Sequence, residues 1–192
     1  MNRFLIFFLF IFSLHAHSGE VERIREYLKG LKNITADFVQ RDRYGNKQYG
    51  KLYMSRPGKM RWEYKKPQEL TVIINGKKVY YYDKQLDQAS QYVGDKGLVN
   101  LVADEDIFNS NEVTFLKIDK HENLLESHFK TKESTDKFSF IFATDPLNFL
   151  GCVVKKDSGD NLWIKFKNLA VHNDLDPSIF KFQHSWAPKY TR

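Results

Sequence analysis

The sequence predicts a mainly β (α+β) domain: an antiparallel meander of about eleven strands, one N-terminal helix and a pair of short helices inserted between the two halves of the meander. Three observations carry this. Apolar residues recur with period two through most of residues 34–169, as they do in strands wetted on one face. Turn signals such as Asn75-Gly76 separate these runs at short intervals. Only residues 20–30 and 95–108 show the three- and four-residue spacing of helices instead.

The chain begins Met1-Asn2-Arg3, runs through Phe4-Leu5-Ile6-Phe7-Phe8-Leu9-Phe10-Ile11-Phe12-Ser13-Leu14, and turns polar at His15. A positive start followed by a short apolar core is the pattern of a secretory signal peptide, too short for a comfortable transmembrane helix. Ala16 and Ser18 supply small residues for cleavage, so residues 1–18 are expected to be removed. Residues 19–192 then form a single exported domain, with no linker, repeat or low-complexity run to divide them. The formal net charge of the 192 residues is +6, of which the leader carries only Arg3. Such an excess suits an anionic lipid surface or an acidic partner, and export makes nucleic acid the poorest fit. The sole cysteine, Cys152, lies in an apolar run and has no partner for an internal disulfide, so it reads as a small buried residue. No cysteine follows the leader core at 13–20 to receive a lipid anchor, and the mature protein is expected to be soluble.

The first element is a helix over residues 20–30, with Val21, Ile24, Tyr27, Leu28 and Leu31 on one stripe and Gly30 as a stop signal. Strands follow at 34–40, 49–55, 60–64, 70–75, 79–83 and 88–92, with reversals at Tyr44-Gly45-Asn46 and Asn75-Gly76. In residues 95–108, Leu98, Leu101 and Val102 make one helical face, and Ile107 with Phe108 starts a second short turn. A small helix pair within a long meander is placed to cover the sheet. The second half repeats the strand pattern at 113–119, 125–130, 138–143, 149–156 and 162–169, with a turn at Asp157-Ser158-Gly159-Asp160-Asn161.

One strand face is apolar: Met60, Trp62 and Tyr64; Phe138, Phe140 and Phe142; Leu162, Ile164 and Phe166. Lys165, Lys167, Arg61 and Glu63 alternate onto the other, which is expected to face water. With 16 Phe, 10 Tyr and 3 Trp the chain has rings enough for either a flat core or an internal cavity. Arg56 stands out against this background. Leu52, Met54 and Arg56 share a side of one strand, and Pro57 favours an extended backbone at its predecessor. A guanidinium on an apolar face is costly unless carbonyls or carboxylates take up its donors, so a polar element must approach it from above.

Catalytic motifs are missing: the sequence has no G-x-S-x-G elbow, H-E-x-x-H, P-loop or dinucleotide glycine fingerprint. His121, His128, His172 and His184 lack the spacing of a metal site and read as surface or turn residues. Asp104-Glu105-Asp106 reads as a helix-capping cluster. No enzyme, metal or cofactor is expected.

The run Gly50-Lys51-Leu52-Tyr53-Met54-Ser55-Arg56-Pro57-Gly58-Lys59-Met60-Arg61-Trp62-Glu63-Tyr64-Lys65-Lys66-Pro67 resembles the bacterial outer-membrane lipoprotein carriers of the LolA family. Phe38-Val39-Gln40 before it, and Val72-Ile73-Ile74-Asn75-Gly76-Lys77-Lys78-Val79-Tyr80-Tyr81-Tyr82-Asp83 and Leu86-Asp87-Gln88 after it, extend the likeness over residues 34–88. Beyond that it is one of pattern, ending near Asp176-Pro177-Ser178-Ile179-Phe180-Lys181-Phe182.

The resemblance implies an incomplete antiparallel barrel closed by short lid helices over an apolar cavity. It implies a periplasmic carrier of acylated lipoproteins, working between an inner-membrane lipoprotein-releasing ABC transporter and an outer-membrane receptor and only transiently near either membrane. On this reading Arg56, by its Arg-Pro context, latches the lid by donating to backbone carbonyls near residues 98–103. Leu98, Leu101 and Val102 belong to that lid. The acyl chains are expected against Leu52, Met54, Met60, Trp62, Tyr64, Phe138, Phe140, Phe142, Leu162, Ile164 and Phe166. Exposed Lys65, Lys66, Lys77 and Lys78 are docking candidates. The receptor of the same fold is itself lipidated, and the missing cysteine fits the soluble carrier instead. Two other readings are a periplasmic lipid- or lipoprotein-sensing regulatory domain of the same fold, and an exported esterase, which lacks a visible nucleophile motif.

Overall fold

The computed structural model describes residues 15–93, 101–104, 106–132, 135–182 and 190–191. Among them are one helix, α1 (His15–Gly30), and twelve strands. The first half holds β1 (Asn33–Asp42), β2 (Lys47–Ser55), β3 (Lys59–Tyr64), β4 (Leu70–Asn75), β5 (Lys78–Asp83) and β6 (Gln88–Val93). The second holds β7 (Val113–His121), β8 (Leu124–Thr131), β9 (Lys137–Thr144), β10 (Leu147–Lys155), β11 (Leu162–His172) and β12 (Tyr190–Thr191). Short 3-10 turns occupy Ile107–Asn109 and Pro177–Phe180.

All twelve strands belong to one sheet, in the order β12-β6-β5-β4-β3-β2-β1-β11-β10-β9-β8-β7. Neighbours in sequence pair as antiparallel hairpins within each half, and the halves join where β1 runs antiparallel to β11, from Asn33↔His172 to Asp42↔Leu162. β7 and β12 end the order without pairing with each other, so the sheet stays open where a closed barrel would have no edge. The eleven expected strands are all present. The twelfth, two residues lying parallel to β6, is too short for any alternation to announce it.

α1 is already helical at His15, the first described residue, five residues before the predicted start. Its stripe behaves as expected: Ile24, Leu28 and Leu31 are buried, with Val21 and Tyr27 packed alongside. They join one continuous core with Ile34, Ala36 and Phe38 of β1 and the inner-facing residues of β2 to β4 and β7 to β11.

Gly50 shows how tightly this inner face is built. The Phe38 ring lies against its Cα, so a Cβ there would stand 2.4 Å from Phe38 Cζ and 2.2 Å from the Glu63 carbonyl oxygen. That space lets Phe38 sit edge-on to both Trp62, at 4.9 Å between ring centroids, and Tyr64, at 5.0 Å.

The outer face corrects one expectation. Lys165 and Lys167 are exposed, but Arg61 is not on a wetted surface: its side chain is only 14% exposed. The chain after β11 folds back across β3 to β5, where Arg61 Nη1 donates to the Ile179 carbonyl at 3.2 Å and Asn75 Nδ2 to that of Phe180 at 3.4 Å. Phe180 and Ile73 are buried beneath this crossing, and Phe182 stacks on Tyr80 at 4.6 Å. Alternation reports which face a strand residue occupies, not what later covers that face.

A methyl group at Gly50 must push Phe38 out of its ring cluster. Gly50→Ala is expected to lower stability by about 1–3 kcal/mol, where an open strand position would gain from losing glycine. Urea unfolding measures this, and an unchanged or raised midpoint would contradict the described packing.

Candidate functional site

Arg56 lies just past the end of β2, in the turn to β3, so the alternation expected to reach it stops one residue short. Its backbone N–H nevertheless donates to the Lys32 carbonyl at 2.8 Å, and its side chain still turns to the apolar side. Arg56 Nη1 donates to the carbonyl of Leu28 at 2.6 Å and Nη2 to that of Val102 at 2.7 Å. The polar partner that its position demanded is therefore double: the last turn of α1 and the segment after β6. Leu28 is among the final helical residues, whose carbonyls carry the negative end of the helix dipole; its carbonyl accepts from the Leu31 amide at 3.1 Å and keeps a second lone pair for the cation. Beside this contact, Gly58 N–H donates to the Ala103 carbonyl at 3.4 Å.

Arg25 makes a second tie between the same two elements. Its Nη1 is 2.7 Å from Glu22 Oε2 on α1, and its Nε is 3.3 Å from Asp106 Oδ1. The guanidinium also lies over the Phe108 ring, 5.5 Å from its centroid. Further along α1, the Tyr27 hydroxyl accepts from the Phe149 amide at 3.0 Å and donates to Asn148 Oδ1 at 3.2 Å, while Lys120 of β7 reaches Glu20 at 3.6 Å. α1 is thus tied to β7 through Glu20 and, over its last two turns, to the lid segment, to β10 and to Arg56.

Beneath these elements lies the predicted apolar face. Leu52, Met54, Met60, Trp62, Phe138, Phe140, Phe142, Ile164 and Phe166 are all buried in one cluster, with Tyr64 and Leu162 at its half-buried margin. Rings connect across it: Trp62 to Phe166 at 6.2 Å, Phe166 to Phe149 at 5.3 Å, Phe149 to Phe140 at 5.3 Å and Phe140 to Phe129 at 5.7 Å. The far end from Arg56 is polar, where the Tyr64 hydroxyl donates to Gln40 Oε1 at 3.0 Å and Gln40 Nε2 to Gln48 Oε1 at 3.1 Å. Burial pushes the Tyr64 phenol up to about 12, so it remains a neutral donor. Of the predicted lid, Leu101 and Val102 are buried against this face, and Leu98 lies outside the described residues. A separate cleft of about 630 Å³ beside the lid is lined by Lys29, Asp104, Asp106, Asn109, Ser110, Asn111 and Glu112.

The acidic run departs from its predicted role. Asp106 occupies the N-cap position of the Ile107–Asn109 turn without a capping hydrogen bond from its side chain, which instead meets Arg25 and accepts from Asn109 Nδ2 at 2.8 Å. Asp104 accepts from the Asp106 amide at 3.0 Å, and Glu105 lies outside the described residues. Lys65, Lys66, Lys77 and Lys78 are exposed as expected.

His128 is no loose surface residue. It is half-buried on the outer face of β8, with Nδ1 2.9 Å from Ser139 Oγ and Nε2 3.0 Å from Asp119 Oδ2. A hydrogen bond from Lys117 is the largest influence holding the Asp119 carboxyl below the usual range. The trio has the residue types of a serine hydrolase but not its construction. The serine binds the wrong imidazole nitrogen, and it is 3% exposed inside a strand paired on both sides, whose amides serve the ladder and leave no oxyanion hole. Cys152 is on the opposite face, across from Ile164 and Phe140, so no thiol–histidine pair forms among the described residues. His172 meets Thr35 Oγ1 at 2.9 Å, His121 is exposed, and His184 lies outside the described residues.

Residues 29–183 match the sequence profile of the family described as "Outer membrane lipoprotein carrier protein LolA". The chain belongs to the LolA family. It is 27% identical over 179 residues to the outer-membrane lipoprotein carrier protein of Chromohalobacter salexigens, covering 88% of this chain and 84% of that one. It is 25% identical over 193 residues to that of Legionella pneumophila strain Lens, covering 95% of each. Among solved structures, an uncharacterised conserved protein from Thermus thermophilus superposes with a TM-score of 0.56 at 11% identity, over 91% of this chain and 99% of that one. A LolA superfamily protein from Nitrosomonas europaea gives 0.51 at 8% identity, over 84% and 97%. At such identities the solved structures establish the fold alone.

Within this LolA-family frame, sequence reasoning missed Arg25, Tyr27 and Phe108 as members of the clasp. Their partners are 121 residues away for Tyr27 and Asn148, and lie on another element for Arg25 and Asp106, so local spacing held no sign of them. Cys152 supplies a built-in reporter for the face they cover. Burial pushes its thiol up to about 12 and removes it from solvent. Maleimide is expected to label native protein at neutral pH orders of magnitude more slowly than urea-unfolded protein. Rapid labelling of the native form would show the inner face open to water.

Proposed function

We propose that this chain is a periplasmic carrier, not an enzyme, that shields the acyl chains of lipoproteins and passes them from an inner-membrane ABC transporter to an outer-membrane receptor. The observation that carries the reading is the Arg56 clasp, a cation holding helix and lid closed over a continuous apolar face. Membership of the LolA family supports it.

The energetics make such a clasp useful. Burying an acyl chain is worth about 0.8 kcal/mol per methylene, so one ~14-carbon chain gains ~10 kcal/mol and does not cross water unshielded at useful rates. A carrier bound with that full strength would never release its cargo. Hydrogen bonds to a charged group contribute about 1.5–3 kcal/mol each, so breaking the Arg56 bonds to Leu28 and Val102 offsets about a third to three fifths of one chain's gain. Loading stays favourable while release to a receptor becomes feasible. The chains enter by displacing Leu101, Val102 and their neighbours, and closure of the empty lid helps expel them.

Arg56→Leu removes both bonds and fills the site with an apolar side chain. The variant is expected to hold acylated lipoprotein more tightly and to release it to receptor-bearing membranes at least about tenfold more slowly, the effect of roughly 1.4 kcal/mol. Unchanged release in a transfer assay would remove Arg56 from the mechanism.

A further inference from the structure

The Trp62 indole Nε1 is a buried donor without a hydrogen-bond partner among the described residues. Its residue is 2% exposed, so bulk water does not serve it either. Such groups are rare in folded chains, because a buried donor left unmade costs the solvation it gave up. An indole N–H can only donate, so what it lacks is an acceptor.

The surroundings narrow the kind of acceptor. Trp62 faces Leu52 and Val72 across β3 and touches Phe38 and Phe166. Any group reaching it must therefore arrive attached to something apolar. On the same strand and face, two residues on, Tyr64 begins the polar Tyr64–Gln40–Gln48 end. On the other side along β3, Met60 stands level with Met54, Ile34 and Ile74, all buried and apolar. Trp62 stands where polar lining gives way to apolar lining. An acyl chain has a matching boundary: one carbonyl where it joins its glycerol or amine, then only methylenes.

We propose that Trp62 Nε1–H donates to the ester or amide carbonyl of a bound acyl chain, fixing its direction with the head toward Tyr64 and the tail toward Met60 and Met54. The inference rests on the carrier reading and adds a polar anchor and an orientation to it.

The test compares a synthetic S-diacylglyceryl-cysteinyl peptide with its dialkyl ether counterpart of equal chain length, which lacks the carbonyls. Wild-type protein is expected to bind the ester about tenfold more tightly by competition with a fluorescent lipid. Trp62→Phe, whose fold is checked by thermal melting, should lose that preference and bind both at the ether level. Equal affinity of the wild type for ester and ether, or an ester preference that survives in Trp62→Phe, overturns the anchor and leaves the carrier reading standing. Failure to bind either peptide overturns both.

Discussion

A guanidinium on an apolar surface must find acceptors, and this chain supplies them by bringing a helix end and a lid to the same point. The Leu28 and Val102 carbonyls come from elements separated by the whole first meander, yet both end within hydrogen-bond distance of Arg56. Much of the arrangement follows. α1 must run so that its last turn reaches the β2–β3 turn. Residues 101–103 must lie over the inner face to arrive there too. The apolar residues beneath are buried because these two elements lie over them.

The open sheet leaves part of its inner face to be covered by other elements. A closed barrel would share its core among strands on all sides, but here β7 and β12 are unpaired with each other and the inner face depends on α1 and the lid for part of its cover. Among the described residues the cover is held by buried apolar side chains, Ile24, Leu28 and Leu31 of α1 with Leu101, Val102 and Ile107, and by polar ties that include Arg56 to two carbonyls, Arg25 to Asp106 and Tyr27 to β10. The polar ties can be exchanged for others at modest cost, whereas the strand ladders beneath them cannot.

Most of the fold was legible because period-two alternation and turn residues are local signals. Asn75-Gly76 marked its hairpin, and Phe138, Phe140 and Phe142 marked the inner face of β9, from neighbours in sequence alone. Arg56 was legible for a related reason, being a charge placed where alternation called for an apolar side chain. What remained hidden depends on long-range return of the chain. Nothing near Arg61 foretold the crossing of residues 177–180, and nothing near Ser139 foretold His128 and Asp119. The need for Gly50 likewise appears only once Phe38 is seen lying on it. The role of the acidic run was misread because a helix-cap pattern and an ion-pair partner for a distant arginine look the same in one dimension.

Amide hydrogen exchange of the empty protein tests most directly whether one side chain holds the cover closed. With Arg56 present, the amides of residues 101–104 and of the last turn of α1 should be protected well beyond an exposed loop. In Arg56→Leu that protection should fall selectively, while β1, β2 and β11 exchange as in wild type. Unaltered protection at residues 101–104, or a uniform loss across the sheet, would contradict the account.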